Sequence, residues 1–338
     1  MKLLSKTKRE ELKDKICLLR LDFNTEDNWR MDASLPTVKF LLARCKSVVI
    51  LSHKGRPNGF DESLSLRPVA KILGRKLGKR AVFVPHFRFQ EIGNLIESSP
   101  KGSLFVLENL RFLDGEAQNS GVLAEHLSGL GDVYINDAFA VSHRANASIV
   151  AITSHLPSYA GLELENEIRR LTLAMKNPKK PLVVVLGGAK IEDKLRVFDN
   201  LKSKAAVFLV GGALDENMML RMGDPKIDFP VDFKKDGKAI RDIGPETIDK
   251  FCKTIIGAKT IIWNGPLGDI TDRRFRKGTE EIAKCAARTG RAIVGGGETV
   301  MFLKKLKLDK KNDFISTGGG AMLDFLAGKK LPGIEVLK

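Results

Sequence analysis

Short apolar runs alternate with longer amphipathic stretches along this chain, and the alternation predicts an architecture. In the first half CLLRLDFN (17–24), SVVILSH (47–53), AVFVPHF (81–87), SLFVLENLRF (103–112) and DVYINDAF (132–139) read as strands. LPTVKFLLAR (35–44) and SLRPVAKILGRKLG (65–78) lie between them and read as crossover helices. Nearly continuous apolar strands spaced by helices predict a mainly parallel sheet covered on both faces. The second half repeats the cadence, without a detectable sequence repeat, through PLVVVLGGAK (181–190), AAVFLVGGA (205–213), TIIWNGPLGD (260–269), AIVGGGET (292–299) and DFISTGGGAM (313–322). Between the halves, Leu164, Ile168, Leu171 and Met175 fall on one helical face and Pro178 ends that helix. The spacing suits a lever between two domains and an ordinary packed helix equally well. The expected fold is α/β, with two Rossmann-like lobes, each a mainly parallel sheet flanked by helices, joined by a hinge helix.

Four of the second-half runs end in glycine-rich turns. A strand that runs into bare backbone just before a helix leaves N–H groups to meet an anion. A lone glycine turn is more often structural, serving a tight turn or close packing; four in one half-chain favour a phosphate-rich ligand. In open parallel sheets, ligands collect outside the carboxyl ends of the strands. There the first half offers Asp22 and Asn24, His53 and Arg56, Arg111, Asn136 and Asp137, and His143 and Arg144. Guanidinium forks bind phosphate or carboxylate oxygens in pairs. One half therefore reads as a basic side-chain basket and the other as a backbone cradle.

Composition narrows the class. A chain of 338 residues suits two domains, and nothing in it approaches the ~20 apolar residues of a membrane span. The basic start MKLLSKTKREELKDK lacks an apolar core or a cleavage site, so it is not read as a secretory signal. Cys17, Cys45, Cys252 and Cys285 show no paired spacing and are read as reduced, mostly buried thiols in a cytoplasmic protein. The net charge of +16 admits nucleic acid, an acidic surface or a multiply anionic small substrate. Clusters such as Lys234-Lys235, Lys304-Lys305 and Lys310-Lys311 fit solvated faces, and with two Trp and two Tyr no base-stacking platform accompanies them.

Eleven strings in fixed order now carry a resemblance over nearly the full chain. They are RLDFN (20–24), SHKGRP (52–57), LENLRF (107–112), VYINDAF (133–139), SHRANAS (142–148), PSYAG (157–161), LGGAKIEDK (186–194), DIGPETI (242–248), WNGPLG (263–268), GGGET (295–299) and STGGGAMLDFLAGKKLPGIEVL (316–337). The chain resembles the phosphoglycerate kinases, two-lobed enzymes that move a phosphoryl group between 1,3-bisphosphoglycerate and ADP, with magnesium and hinge closure. The resemblance implies a phosphoglycerate-binding lobe over 1–157, an interdomain helix over 158–178, a nucleotide lobe over 179–317 and a segment over 318–338 that returns to the first lobe.

It also implies roles. Asp22, Asn24, Arg30, His53, Arg56, Arg111 and Arg144 fall at phosphoglycerate-binding positions. Arg30 keeps the family arginine's distance from Leu35-Pro36. Gly187, Gly188, Lys190, Lys194, Gly211, Gly212, Asn264, Gly265, Pro266, Gly295, Gly296, Gly297, Glu298 and Thr299 fall at nucleotide-binding positions. Arg30, Lys190, Gly297 and Gly319 are the implied catalytic set, and Glu298 the implied ligand of Mg2+. ADP or ATP is the co-substrate, 3-phosphoglycerate or 1,3-bisphosphoglycerate its partner, and the family habit is a monomer. Taken alone, His53 also suits a structural histidine, Asp22 a salt bridge to Arg20, and Lys194 an exposed helix lysine; His143 is read as packing.

The chain departs from the family pattern at the adenosine end. It is short, with DENMMLRMGDPKIDFPVDF (215–233) in place of a longer helical stretch. Ala213 stands for a glycine, Thr271 for a ribose-binding glutamate and Glu298 for an aspartate. Two rival readings are an impaired family member and a nucleic-acid-binding protein. A dehydrogenase is disfavoured, since no GxGxxG follows the first strand.

Overall fold

The computed structural model describes the chain except residues 26–27, 189–191 and 213–223, and the side chains of residues 192–193. It divides into two compact units, Met1–Asn166 with Lys330–Lys338, and Glu167–Lys329. The first unit holds β1 (Ile16–Arg20), β2 (Ser47–Leu51), β3 (Val82–Val84), β4 (Ser103–Leu107), β5 (Val133–Asn136) and β6 (Ser158–Ala160). They form one sheet in the order β3-β4-β2-β1-β5-β6, parallel throughout. Alternate residues of β1 feed two cores: Cys17 and Leu19 pack on one face, Ile16 and Leu18 on the other. That double burial is why the strands read as unbroken apolar runs.

The second unit holds β7 (Leu182–Leu186), β8 (Val207–Val210), β9 (Ile227–Asp228), β10 (Phe233–Asp236), β11 (Ala239–Ile243), β12 (Thr260–Asn264), β13 (Ala292–Gly295) and β14 (Phe314–Ile315). Six of them make a parallel sheet in the order β14-β13-β12-β7-β8-β9, and β10 and β11 pair as a separate antiparallel hairpin. The chain runs outward from β7 in one direction and from β12 in the other, so the ends of these neighbours form the switch point where α/β sheets take ligands. In the first unit β1 and β5 are the corresponding neighbours, with Arg20 opposite Asn136. The expected α/β class and the parallel sheets are thus observed. Among the described residues no helix is long and apolar enough to cross a membrane.

The helix Leu162–Lys176 contains the boundary between the units. Its first turn is capped from a distance: Asp137 Oδ1 accepts the N–H groups of Glu163 and Leu164, both at 2.9 Å, and Thr37 Oγ1 accepts that of Leu162 at 3.2 Å. Five residues on, buried Glu167 accepts the hydroxyls of Ser316 and Thr317, each at 2.8 Å.

One expectation is corrected. Cys252 and Cys285 form a disulfide between the contacting helices Pro245–Gly257 and Lys277–Thr289, their Cα atoms 5.6 Å apart. The two cysteines are 33 residues apart, a separation that matches no cysteine motif, so nothing in the sequence marked the pair. Cys17 and Cys45 are free and buried, as expected.

Candidate active site

The carboxyl ends of β1, β2, β4 and β5 bring one cluster together. After β1 the chain turns through Asp22 and Asn24, with Asn24 N–H bonded to Asp22 Oδ1 at 2.9 Å. Arg30, in the first turn of the helix Trp29–Leu42, reaches back to Asp22 Oδ2 at 2.6 Å and carries a buried Nε with no partner. Asp22 therefore pairs with Arg30, and Arg20 with Glu116 at 3.7 Å. Burial works to raise the Asp22 carboxyl, but the positive groups around it and the Asn24 N–H outweigh this and hold it below its usual range. Asn24 Oδ1 in turn accepts Gly55 N–H at 2.8 Å, which ties the β1 turn to the loop that carries Arg56.

His53 follows β2 and is 1% exposed. Its Nδ1 lies 3.0 Å from Arg20 Nη2. Arginine can only donate, so Nδ1 accepts and the neutral ring carries its hydrogen on Nε2. That Nε2 is buried and has no partner. Burial first, then Arg20, Arg111 and Arg144, push the His53 pKa well below the usual histidine value, against the pull of Asp22. The ring is neutral at pH 7, with one N–H donor to spend. Arg20, 1% exposed, is fixed by Ser148 Oγ at 2.8 Å and by the Leu21 carbonyl.

Arg111 follows β4 on the short helical turn Leu110–Phe112. Asn109 sets its position: Oδ1 accepts the N–H groups of Arg111 and Lys54, both at 3.1 Å, while Arg111 Nη1 donates to the Gly55 carbonyl. Burial, followed by Arg144 and Arg20, lowers the Arg111 pKa to about 10. Positive charge is thus crowded here ahead of any ligand. Arg144 is half-buried and Arg56 exposed. His143 accepts from Arg144 Nε at 3.3 Å. The sequence inventory missed Asn109, Glu116 and Ser148 and named Arg20 only as a salt-bridge partner for Asp22; all four lie behind the cluster, and their signal was that Arg20, Asn109 and Ser148 stand inside the quoted strings.

The glycine turns of the second unit divide into two kinds. A Cβ on Gly187 would lie 2.2 Å from the Pro266 carbonyl oxygen, one on Gly265 2.0 Å from that of Gly187, and one on Gly212 2.5 Å from Gly188 N. Gly188, Gly212 and Gly265 have φ of 89°, 91° and 91°, which L side chains rarely adopt. The N–H groups of Gly187, Gly188, Gly211 and Gly212 donate to the carbonyls of Asn264, Pro266, Leu186 and Leu267. The expectation that these turns present free amides is therefore corrected: their glycines let the turns after β7, β8 and β12 touch backbone to backbone.

The turn after β13 is different. The helix Gly297–Lys305 starts there without a side-chain cap, Gly297 has nothing within 4 Å of its Cβ direction, and buried Thr299 Oγ1 has no partner. Uncapped first-turn N–H groups are an anion site. Glu298 is exposed beside them. Gly188, Gly212, Pro266, Thr271 and Glu298 line one pocket of about 210 Å³ with Asp269 and Arg241. Asn264 is buried at the end of β12, and Gly295 packs so closely that a Cβ would meet Met322 Sδ at 2.1 Å. Lys194 is 5% exposed, which overturns the exposed-lysine reading. Asp272 spends its carboxylate on Arg274 at 2.8 Å, while Thr271 Oγ1 donates to Asp269 at 2.6 Å. Gly319 has φ 49° and precedes the helix Gly320–Leu326. Lys190 and Ala213 lie outside the described residues.

A basic basket in one unit and a glycine-built pocket with an open helix start in the other meet a decisive comparison. The family model for phosphoglycerate kinase matches residues 7–228 and 221–329. The chain belongs to the phosphoglycerate kinase family. It is 38% identical to the phosphoglycerate kinase of Thermosipho africanus, over 96% of this chain and 95% of the relative, and 36% identical to that of Dictyoglomus turgidum, over 97% of each. The first alignment spans 382 positions against the 338 residues of this chain, so the relative carries segments missing here. The solved phosphoglycerate kinase of Pyrococcus horikoshii superposes with a TM-score of 0.88 at 28% identity, covering 100% of this chain and 98% of that one. The enzyme from Coxiella burnetii gives 0.82 at 31%, covering 99% and 98%. As a phosphoglycerate kinase, the chain is an enzyme of glycolytic phosphoryl transfer, and nothing favours the reading as an impaired or nucleic-acid-associated relative.

Proposed function

We propose that the first unit binds 3-phosphoglycerate or 1,3-bisphosphoglycerate through Asp22, Asn24, Arg30, His53, Arg56, Arg111 and Arg144, and that the second unit binds ADP or ATP. The observation that carries this is the pair of buried, unpartnered donors, His53 Nε2 and Arg30 Nε, set among arginines whose charges repel one another. An unpaired buried polar group is costly, and an anionic ligand would satisfy it. A neutral His53 donates to a ligand oxygen without titrating, while the arginines supply charge and paired hydrogen bonds.

In the second unit the reading assigns phosphate to the amides of Gly296, Gly297, Glu298 and Thr299, with the Thr299 hydroxyl, Lys190, Lys194 and Asn264 beside them. Gly187, Gly188, Gly211, Gly212, Gly265, Pro266 and Gly295 shape the pocket walls. Among the described residues no three His, Cys, Asp or Glu side chains cluster, so Mg2+ would be held by Glu298 with nucleotide phosphates and water, the donor set it commonly takes. Such an ion would offset phosphate charge. Asp269, which already accepts from Thr271, is the carboxylate available on the pocket wall where the family glutamate is replaced.

The acceptor in the ATP-consuming direction is a carboxylate, ionised at neutral pH, so no general base is needed. That agrees with a site of arginine, lysine and glycine. Catalysis rests on positioning and on stabilising the transferring phosphoryl, with Arg30, Lys190, Gly297 and Gly319 as the assigned clamp. Two ligands held by two units must share one phosphoryl group, so the cycle includes closure, which also keeps the group from water. Soluble metabolites on both sides of the reaction fit a cytoplasmic monomer.

Calorimetry separates the half-sites. Arg111→Ala and His53→Ala should weaken 3-phosphoglycerate binding roughly ten- to a hundred-fold and leave Mg-ADP unchanged. Glu298→Ala should do the reverse. Loss of both ligands in either set, without unfolding, contradicts the assignment.

A further inference from the structure

The proposed sites leave one part of the positive charge unused. The helix Arg67–Leu77 presents Arg67, Lys71 and Arg75 at i, i+4 and i+8, one stripe along its length, and the chain continues through Lys79 and Arg80 into β3. These five side chains rim an open groove of about 570 Å³ that has no acidic residue in its lining. None of the five has an ion pair among the described residues; on this helix it is Lys76 that pairs with an acid, Asp32, at 2.6 Å. The groove floor is apolar, with Phe83 beneath the Arg67 guanidinium at 4.8 Å from the ring centre. β3 is the last strand of its sheet and, among the described residues, pairs only with β4, so no strand covers its other edge.

We propose that this groove is a docking site for an extended acidic segment of another protein, which adds as a strand to that edge of β3. A bare sheet edge is a template for such addition, with main-chain bonds giving affinity and alternate side chains giving specificity. The spacing agrees. Residues four apart on a helix rise about 6 Å, and same-face side chains of an extended strand recur every ~6.7 Å. Asp or Glu at alternate positions of the segment would each meet one cation of the stripe, while the residues between them would point to the other face of the sheet. β3 is three residues long, so charge supplies most of the attraction and the main chain sets the register. Single-stranded nucleic acid fits less well, because Phe83, the one ring lining the groove, is already covered by Arg67 and offers no bare face to a base.

The probe is a labelled octapeptide of alternating Glu and Val, followed by fluorescence anisotropy with the full chain. Binding should saturate, weaken as salt rises, and fall at least about ten-fold in the Arg67→Glu/Arg75→Glu variant. Turnover of that variant should match the native enzyme. Reversing the exposed Lys234 and Lys235 of the other unit should leave binding intact. N-methylating alternate peptide amides should weaken binding to a similar degree, and this arm alters no residue of the enzyme. Absence of saturable binding, equal loss in the Lys234/Lys235 control, or indifference to N-methylation would overturn the proposal. So would a single-stranded oligonucleotide that displaces the peptide as well as unlabelled peptide does.

Discussion

The buried ion pair of Arg20 and Glu116 sits behind the proposed substrate cluster, and its cost is recovered through position. Arg20 spends its guanidinium on Ser148, the Leu21 carbonyl, Glu116 and His53 Nδ1, leaving the Nε2 hydrogen of His53 buried without a partner. Removing one partner of such a pair strands the other. Arg20→Met should therefore destabilise the chain by about 3–5 kcal/mol, and adding Glu116→Gln should restore part of that in urea unfolding. The depressed His53 pKa has a sign. Below the ordinary value of 6.5 the unfolded ring takes a proton that the folded ring refuses, so its contribution is complete above pH 6.5 and is lost as pH falls. Nitrogen-15 spectra at pH 6 should show His53 neutral with hydrogen on Nε2. A protonated ring, or hydrogen on Nδ1, contradicts the assignment.

Glycines separate structure from function at the same scale. Gly265→Ala puts a methyl 2.0 Å from a carbonyl oxygen at φ 91°, and overpacking together with the left-handed backbone should cost several kcal/mol. Gly297→Ala meets nothing within 4 Å, so its stability should stay within about 0.5 kcal/mol of native while KM for nucleotide rises. Equal destabilisation of the two would erase the distinction.

At the scale of elements, the helix Leu162–Lys176 depends on Asp137, a residue of another element, for its first turn. Burial, the largest influence, raises the Asp137 carboxyl to about 6, against the bonds from Thr37 and the helix amides. Between pH 3.8 and 6 the folded carboxyl keeps a proton that the unfolded one has lost, so this contribution falls as pH rises through that window. The stability of the native chain relative to Asp137→Asn should decline by on the order of 3 kcal/mol from pH 4 to pH 7. A pH-independent difference would show that the carboxyl is not strained by burial. The elements themselves were largely legible. β1, β2, β4, β5, β7, β8, β12 and β13 fall inside apolar runs because strands buried on both faces leave that mark. The hairpin β10–β11 was missed, since FKKD is mostly exposed and charged, yet Asp236-Gly237, where β10 enters the turn, was a turn signal. The free-amide reading failed at the first two glycine turns for a clear reason. A sequence shows that a Cβ is absent but not whether ligand or neighbouring backbone fills the space.

For the whole molecule, charge and family agree on direction. An excess of +16 suits an enzyme whose substrates are all anions, and the arginines after β2, β4 and β5 use part of it where strands end. In the unit proposed to bind phosphoglycerate every assigned residue is present, whereas the part proposed to face adenosine is short and carries Thr271 and Glu298. Nucleotide affinity, rather than phosphoglycerate affinity, should therefore be the weaker of the two relative to longer family members, which parallel titrations with Mg-ADP and 3-phosphoglycerate would check.

The central claim is phosphoryl transfer that depends on Arg30. Its most direct test is ATP formation from 1,3-bisphosphoglycerate and Mg-ADP, with native chain and Arg30→Ala side by side. Losing one preorganised donor to the transferring group costs about 3–4 kcal/mol of barrier, so turnover should fall roughly a hundred- to a thousand-fold while the variant still binds Mg-ADP. Native turnover that survives Arg30→Ala unchanged, or no native turnover at saturating nucleotide, would contradict the account.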